Sequence, residues 1–137
     1  MLRTSVEYGS HLLVLTVDRE DSTGQSSLAL LATIIASLSR LDERARQAAS
    51  ASLLTTYNES WREYQEATGG GRFRDVTGPE LDRSRFEQRL SLTSVSVTGP
   101  DTCAFGYDDD GLFWGHSVFV TSFDGAVFGD LHVELFG

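Results

Sequence analysis

Hydrophobic and polar positions change period twice along this chain. Residues 4–18 carry the pattern of a strand pair or of one bent strand. "HLLVLTV" (His11–Val17) is apolar nearly throughout and is expected to be buried on both faces, with Tyr8-Gly9-Ser10 as the turn before it. The polar stretch "DREDSTGQ" follows and is expected to be a loop. The spacing then becomes helical. Ser26 or Ser27 is expected to cap a helix reaching about Arg40, with Leu28, Leu31, Ile35 and Leu38 as its inner stripe and Leu30 and Ile34 widening it. Asp42 is placed to cap a second helix, with Ala45, Ala48, Ala49, Leu53 and Leu54 facing inward, and Asn58 as its end. "ESWREYQEA" continues the helical reading for a turn or two. "TGGGRFRDV" reads as a flexible insertion near 68–76, because three consecutive glycines lose much entropy on ordering. Thr77, followed by Pro79 and Glu80, then marks a short helix with Phe86 and Leu90 as core contacts.

In the last third the period falls to two. "LTSVSVTG", "TCAFGY", "GLFWGHSVFVT" and "DLHVELF" are strand-like and are separated by glycine- and aspartate-rich breaks. Strands, then helices, then strands joined by short turns predict one α+β domain over 1–137. Its sheet is mostly antiparallel, built from an N-terminal strand or hairpin and a C-terminal four-strand meander, with two to four helices on one face.

Charge adds a constraint that periodicity does not. The formal net charge is −9, every basic residue is an arginine, and from Asp101 onward there are seven acids and no base. Such a surface repels phosphate backbones and anionic lipid, which argues against nucleic-acid and membrane partners, and it speeds encounter with a basic protein. Cys103 is the single cysteine, so no internal disulfide forms, and a reducing cytoplasm is the expected setting. The first residues have no signal-peptide core, and "LALLATIIASL" (Leu28–Leu38) is about half a membrane span, hence expected to be a buried helix.

The densest chemistry lies in "YDDDGLFWGH" (Tyr107–His116). Asp110-Gly111 suits a tight hairpin turn. The three aspartates lack the further oxygen ligands and closing glutamate of a calcium loop. On a strand, His116 would share a face with Trp114, Val118 and Val120. It would act as a base only if Asp124 or Asp108 came within reach. Cys103 reads as a core thiol beside Phe105, and a Cys103–His116 pair across the hairpin is the nucleophilic alternative. His11 and His132 lack metal-ligand spacing, "TGGGRF" lacks the Lys-Ser/Thr ending of a phosphate loop, and no motif calls for a cofactor. "SFDGAVFGD" places Phe123, Val127 and Phe128 among acids, the composition of a protein contact.

Three stretches, "LLTTYNESW" (Leu53–Trp61), "FEQRLSLTSVSV" (Phe86–Val97) and "AFGYDDDGLFWGHSVFV" (Ala104–Val120), resemble a bacterial family, number 2262 of the domains of unknown function. "GGGRFRD" departs from that pattern as a local expansion. The resemblance implies no activity. By analogy with small bacterial domains that occur as immunity proteins beside toxins, it fits a non-catalytic binding role. The expected function is therefore an immunity protein that neutralises a basic toxin through Asp108, Asp109, Asp110, Asp124 and Asp130, with Phe123 and Phe128 as anchors. The alternatives are a small enzyme using His116 with an aspartate, metal-assisted or not, and a module that holds a small ligand.

Overall fold

A computed structural model describes residues 2–18 and 25–137. In chain order the elements are β1 (Leu2–Tyr8), β2 (His11–Val17), α1 (Gln25–Ala36), α2 (Leu38–Thr56), a π-helical turn (Tyr57–Trp61), β3 (Glu63–Gly69), β4 (Arg72–Thr77), α3 (Arg83–Arg89), β5 (Ser91–Val97), β6 (Cys103–Asp108), β7 (Ser117–Ser122), a 3-10 turn (Gly125–Val127) and β8 (Leu131–Phe136). Six strands make one sheet in the order β1-β2-β5-β6-β7-β8, and β3 and β4 pair separately. Every neighbour in the large sheet is antiparallel except β2 and β5. The α+β class and the C-terminal meander are as the sequence predicts, and of the two N-terminal alternatives, one bent strand or a hairpin, the hairpin forms, with its turn at Gly9-Ser10.

Alternation decides which face is covered. Leu13, Leu15, Val17, Val95, Val97, Cys103, Phe105, Tyr107, Val118 and Val120 are buried under the helices. A bulge at Thr93 keeps both Leu92 and Val95 on that side, three residues apart, which strict alternation forbids. The other face carries Val14, Thr16, Ser94, Ser96, Ala104 and Thr121, all half-buried, and among the described residues no helix covers it. β2 is therefore buried on one face only, contrary to the expectation from its sequence; Leu12 is 63% exposed.

The helical region departs furthest from the periodicity. The loop expected over "DREDSTGQ" lies, from Arg19 to Gly24, outside the described residues. α1 ends at Ala36. Its buried face is Ser27, Leu30 and Ile34, while Leu28 and Ile35 of the expected stripe are exposed. Ser37 breaks the run, and α2 begins at Leu38, so Asp42 sits a turn inside the helix and caps nothing. α3 starts after Asp82, whose carboxylate accepts from the Arg85 N–H at 2.8 Å, and Thr77 is the last residue of β4.

Asp42 is nevertheless the residue that ties the layers together. Its buried carboxylate accepts from Tyr107 Oη on β6 at 2.6 Å, from Tyr8 Oη on β1 at 2.8 Å and from Arg46 Nε one helical turn on at 2.9 Å. The Arg46 guanidinium lies over the Tyr107 ring, 5.3 Å from its centroid, and donates to the Glu87 carbonyl at 2.8 Å and to that of Leu90. One ion pair thus joins the edge strand, the sheet centre, α2 and the end of α3. Each member has a partner, the condition under which a buried charge is tolerated.

The stretch expected to be a helical tail and a flexible insertion is instead the hairpin β3–β4. Gly70 and Gly71 have φ of 60° and 74°, the left-handed pair of a two-residue turn. Its root is fastened: the Gly78 N–H donates to the Arg62 carbonyl at 2.6 Å, Tyr57 Oη to that of Pro79 at 3.0 Å, and the Asn58 amide both donates to and accepts from the Leu81 backbone at 2.9 and 3.0 Å.

Asp42→Ala is expected to cost about 3 kcal/mol, because it leaves Arg46 charged and unpaired. Tyr107→Phe is expected to cost about 2 kcal/mol, the loss of one hydrogen bond to a charged acceptor. Urea unfolding of both variants measures these losses. Burial, and then the hydrogen bond to Asp42, push the Tyr8 phenol up to about 12. A raised folded value means that its contribution is complete below about pH 10 and is lost as pH rises toward the folded value. In a pH series of melts, Tyr8→Phe is expected to flatten that alkaline decline.

Candidate functional site

The residues singled out by sequence divide between the two ends of the meander. Cys103 pairs with Ser122 at one end of the β6–β7 ladder and Asp108 with Ser117 at the other, some five residues and about 17 Å away. Asp101, Phe123, Asp124, Val127 and Asp130 gather at the first end, and Asp108, Asp110, Trp114 and His116 at the second. A Cys103–His116 pair is excluded by this register. Cys103 is buried, and burial, reinforced by the Asp124 charge, raises its thiol to about 11, a packing sulfur with no thiolate character.

At the second end, β6 stops at Asp108 and β7 starts only at Ser117, so the tight turn expected at Asp110-Gly111 is an eight-residue loop. Asp109 organises it. Its buried carboxylate accepts from the N–H groups of Gly111 at 3.0 Å and Phe113 at 2.8 Å, and its carbonyl from Leu112 at 3.0 Å. Asp109 is thus a turn former and offers no charge to a partner, a correction to its sequence assignment. Asp110 is exposed and bound through both carboxylate and carbonyl by Arg89, at 2.6 and 3.1 Å. Asp108 is exposed.

The loop drives Phe113 inward, where its ring meets Tyr57, Trp61 and Phe86 edge-on at 5.9, 5.3 and 6.1 Å. Trp114 is turned outward, 53% exposed, with φ of 59°, a conformation that costs a bulky side chain strain energy. Its indole N–H donates to the Trp61 carbonyl at 3.2 Å, and the two indoles lie 4.5 Å apart. His116 precedes β7, so it does not share a strand face with Trp114. It is half-buried, with Nδ1 2.5 Å from the Phe113 carbonyl and its ring edge-on to Trp61 at 5.4 Å. Among the described residues no aspartate is hydrogen-bonded to it, and none of their His, Cys, Asp and Glu side chains form a cluster fit to hold a metal ion.

At the first end, one aspartate fixes another loop. Asp124 accepts from Ser122 Oγ at 2.7 Å and from the N–H groups of Phe128 and Gly129, both at 3.1 Å. The Ser122 bond, aided by those N–H groups, holds its carboxyl below the usual carboxylate range. Phe128, taken from sequence as an exposed anchor, is instead buried edge-on against Phe105 at 5.2 Å. The exposed apolar groups of the loop are Phe123 at 59% and Val127 at 73%; the exposed Asp130 follows them in sequence, and the exposed Asp101 joins the loop by accepting the Gly125 N–H through its carbonyl at 2.8 Å. Phe123 packs edge-on to His132 of β8 at 5.4 Å.

These elements lie almost wholly within a single family match. Residues 4–127 fit the model described as "Uncharacterized protein conserved in bacteria (DUF2262)". The chain belongs to this family. The match runs from β1 to the 3-10 turn, so in this DUF2262 member it takes in the Asp42 network, the β3–β4 hairpin and the Asp109 loop. No curated protein and no solved structure matches the chain. Among the described residues of this DUF2262 chain, no helix is long and apolar enough to cross a membrane.

Sequence reasoning missed Trp61 and Trp114 as a pair and Asp42 as a buried acceptor. The Asp42–Arg46 spacing of four was a visible signal for the ion pair. The two tyrosines that complete it come from distant strands. Asp109→Ala is expected to cost about 2 kcal/mol by leaving two loop N–H groups without their acceptor. It should also shift tryptophan emission through Trp114, read by fluorescence alongside urea unfolding.

Proposed function

We propose that this chain is a non-catalytic protein-binding domain whose contact surface is the Asp124-braced loop between β7 and β8. The observation that carries the reading is that Phe123 and Val127 stand exposed on a backbone fixed from within by one carboxylate and one serine hydroxyl. Apolar side chains held in place before contact lose little entropy on binding, and Asp101 and Asp130 beside them favour a basic partner. Asp108, exposed at the far end of the meander, adds to the same negative field at longer range, while Asp110 is held in its ion pair with Arg89. A cytoplasmic immunity protein that neutralises a basic toxin domain is the concrete form of this reading.

Three features support binding over catalysis. Asp109 and Asp124 are consumed as acceptors for loop N–H groups, and Cys103 is a buried thiol. His116 is engaged by a main-chain carbonyl and an indole edge.

Viability of cells expressing a basic toxin domain encoded beside this chain, with and without the chain, tests the concrete form. Protection is expected. Phe123→Ala with Asp130→Arg is expected to weaken the complex by about a hundredfold, one anchor of about 2 kcal/mol plus lost steering. Protection that survives both substitutions in a folded variant would refute this surface.

A further inference from the structure

The second end of the meander holds a cleft that the acidic-loop reading does not use. Tyr64 and Gln65 of β3 form one wall and Gly111 and Trp114 of the Asp109 loop the other, enclosing about 560 Å³ open to solvent. The walls are aromatic and fixed. Trp114 is backed by the Trp61 ring and tied by its indole N–H, so one face rests on protein while the side chain as a whole remains half exposed. Tyr64 is 41% exposed on a hairpin whose root is clamped at Arg62–Gly78. Three residues of the loop besides Trp114 (Asp110, Gly111 and Gly115) take positive φ, and that backbone is what turns the indole outward.

Carboxylates flank the residues of these walls without lining the cleft. Asp75 receives the Gln65 amide at 3.2 Å across the hairpin, and Asp110, ion-paired with Arg89, precedes Gly111. Two neighbouring cations are paired, Arg89 with Asp110 and Arg74 with Glu66, and Arg62 is turned to the Gly78 carbonyl, to which its Nε donates at 3.1 Å. Aromatic faces beside carboxylates attract a planar cation, which stacks on the rings while its N–H groups reach the oxygens. A nucleobase also stacks on such a platform, but the phosphates that accompany it meet these carboxylates and a chain of net charge −9.

We propose that this cleft receives an arginine side chain from a basic segment of a protein partner, with the guanidinium stacked on Trp114 and Tyr64. The assignment rests on the protein-binding reading and adds a second, chemically specific point of recognition to it.

Both tryptophans of the chain belong to this cluster, so tryptophan emission reports on the cleft alone. The experiment titrates the full chain at low salt with a capped peptide of alternating glycine and arginine, and with its lysine and glutamate counterparts. The arginine peptide is expected to change the emission saturably, the lysine peptide to bind about threefold more weakly, and the glutamate peptide not to bind. Trp114→Leu and Tyr64→Leu, which leave net charge unchanged, are each expected to weaken the arginine peptide about tenfold, with Leu12→Ala, an exposed apolar position on β2, without effect. Circular dichroism confirms that each variant is folded, and Trp61 remains as reporter in the Trp114 variant. Equal binding by folded Trp114→Leu and Tyr64→Leu would reduce the effect to diffuse charge attraction and overturn the proposal. So would equal affinity for the lysine peptide, or a response to single-stranded oligothymidine in place of peptide. If the arginine peptide fails while Phe123→Ala with Asp130→Arg still abolishes the partner complex, the cleft is wrong and the binding reading stands. If the peptide behaves as expected and those substitutions change nothing, the cleft stands and the β7–β8 loop is wrong.

Discussion

A carboxylate withdrawn from water must be surrounded by donors, and meeting that requirement at Asp42 sets the arrangement of the layers. The two tyrosine hydroxyls and one guanidinium that satisfy it come from an edge strand, a central strand and the helix itself. None of the three is free to move without stranding a charge, a cost of several kcal/mol. Arg46 passes the constraint on, since its remaining donors hold the carbonyls of Glu87 and Leu90 where α3 gives way to β5. That junction leads directly into the meander, and α2 continues into the π-helical turn that carries Tyr57 and Trp61. Both ends of the meander are therefore held relative to the helices by a mostly apolar core with this ion pair set into it.

The same device recurs at smaller scale. Asp109 and Asp124 each gather N–H groups of a loop that has no ladder to join. In a chain rich in aspartate, composition reads as surface charge, yet three of these residues act inward. What the two braced loops expose is aromatic and aliphatic: Trp114 on one, Phe123 and Val127 on the other. Rigid apolar groups in a negative field are a combination suited to recognising basic protein surfaces.

The strands were legible because their signal is local. Alternation and glycine-aspartate breaks are written within a few residues, and they yield the N-terminal hairpin and the meander. Long-range facts were not. Nothing near Asp42 reveals that tyrosines 34 and 65 residues away close on it, so its type and position read as a helix cap. "REYQEATGGGRFRDV" lacks a buried face, and without hydrophobic periodicity a solvent-exposed hairpin resembles a helix tail followed by a linker. In "GLFWGHSVFV" apolar content overrode turn chemistry: four residues between Asp110 and Gly115 adopt positive φ, which no run of large side chains announces. The candidate acids were found, but their division between opposite ends depends on register, which is set only when the strands pair.

One pairing in the large sheet has a kinetic consequence. The strands β5 to β8 are joined by connections of moderate length and can zip in order. β2 lies parallel to β5, and the hydroxyls of Thr16 and Ser96 that meet across this seam are 80 residues apart in the chain. Closing so long an interval precedes any reward from the contacts it creates, so the seam between the N-terminal hairpin and the meander carries the largest loop-closure cost among the pairings of this sheet. On a ribosome, β1 and β2 emerge ahead of β5 and wait, one edge unsatisfied, until the remainder of the sheet has been synthesised.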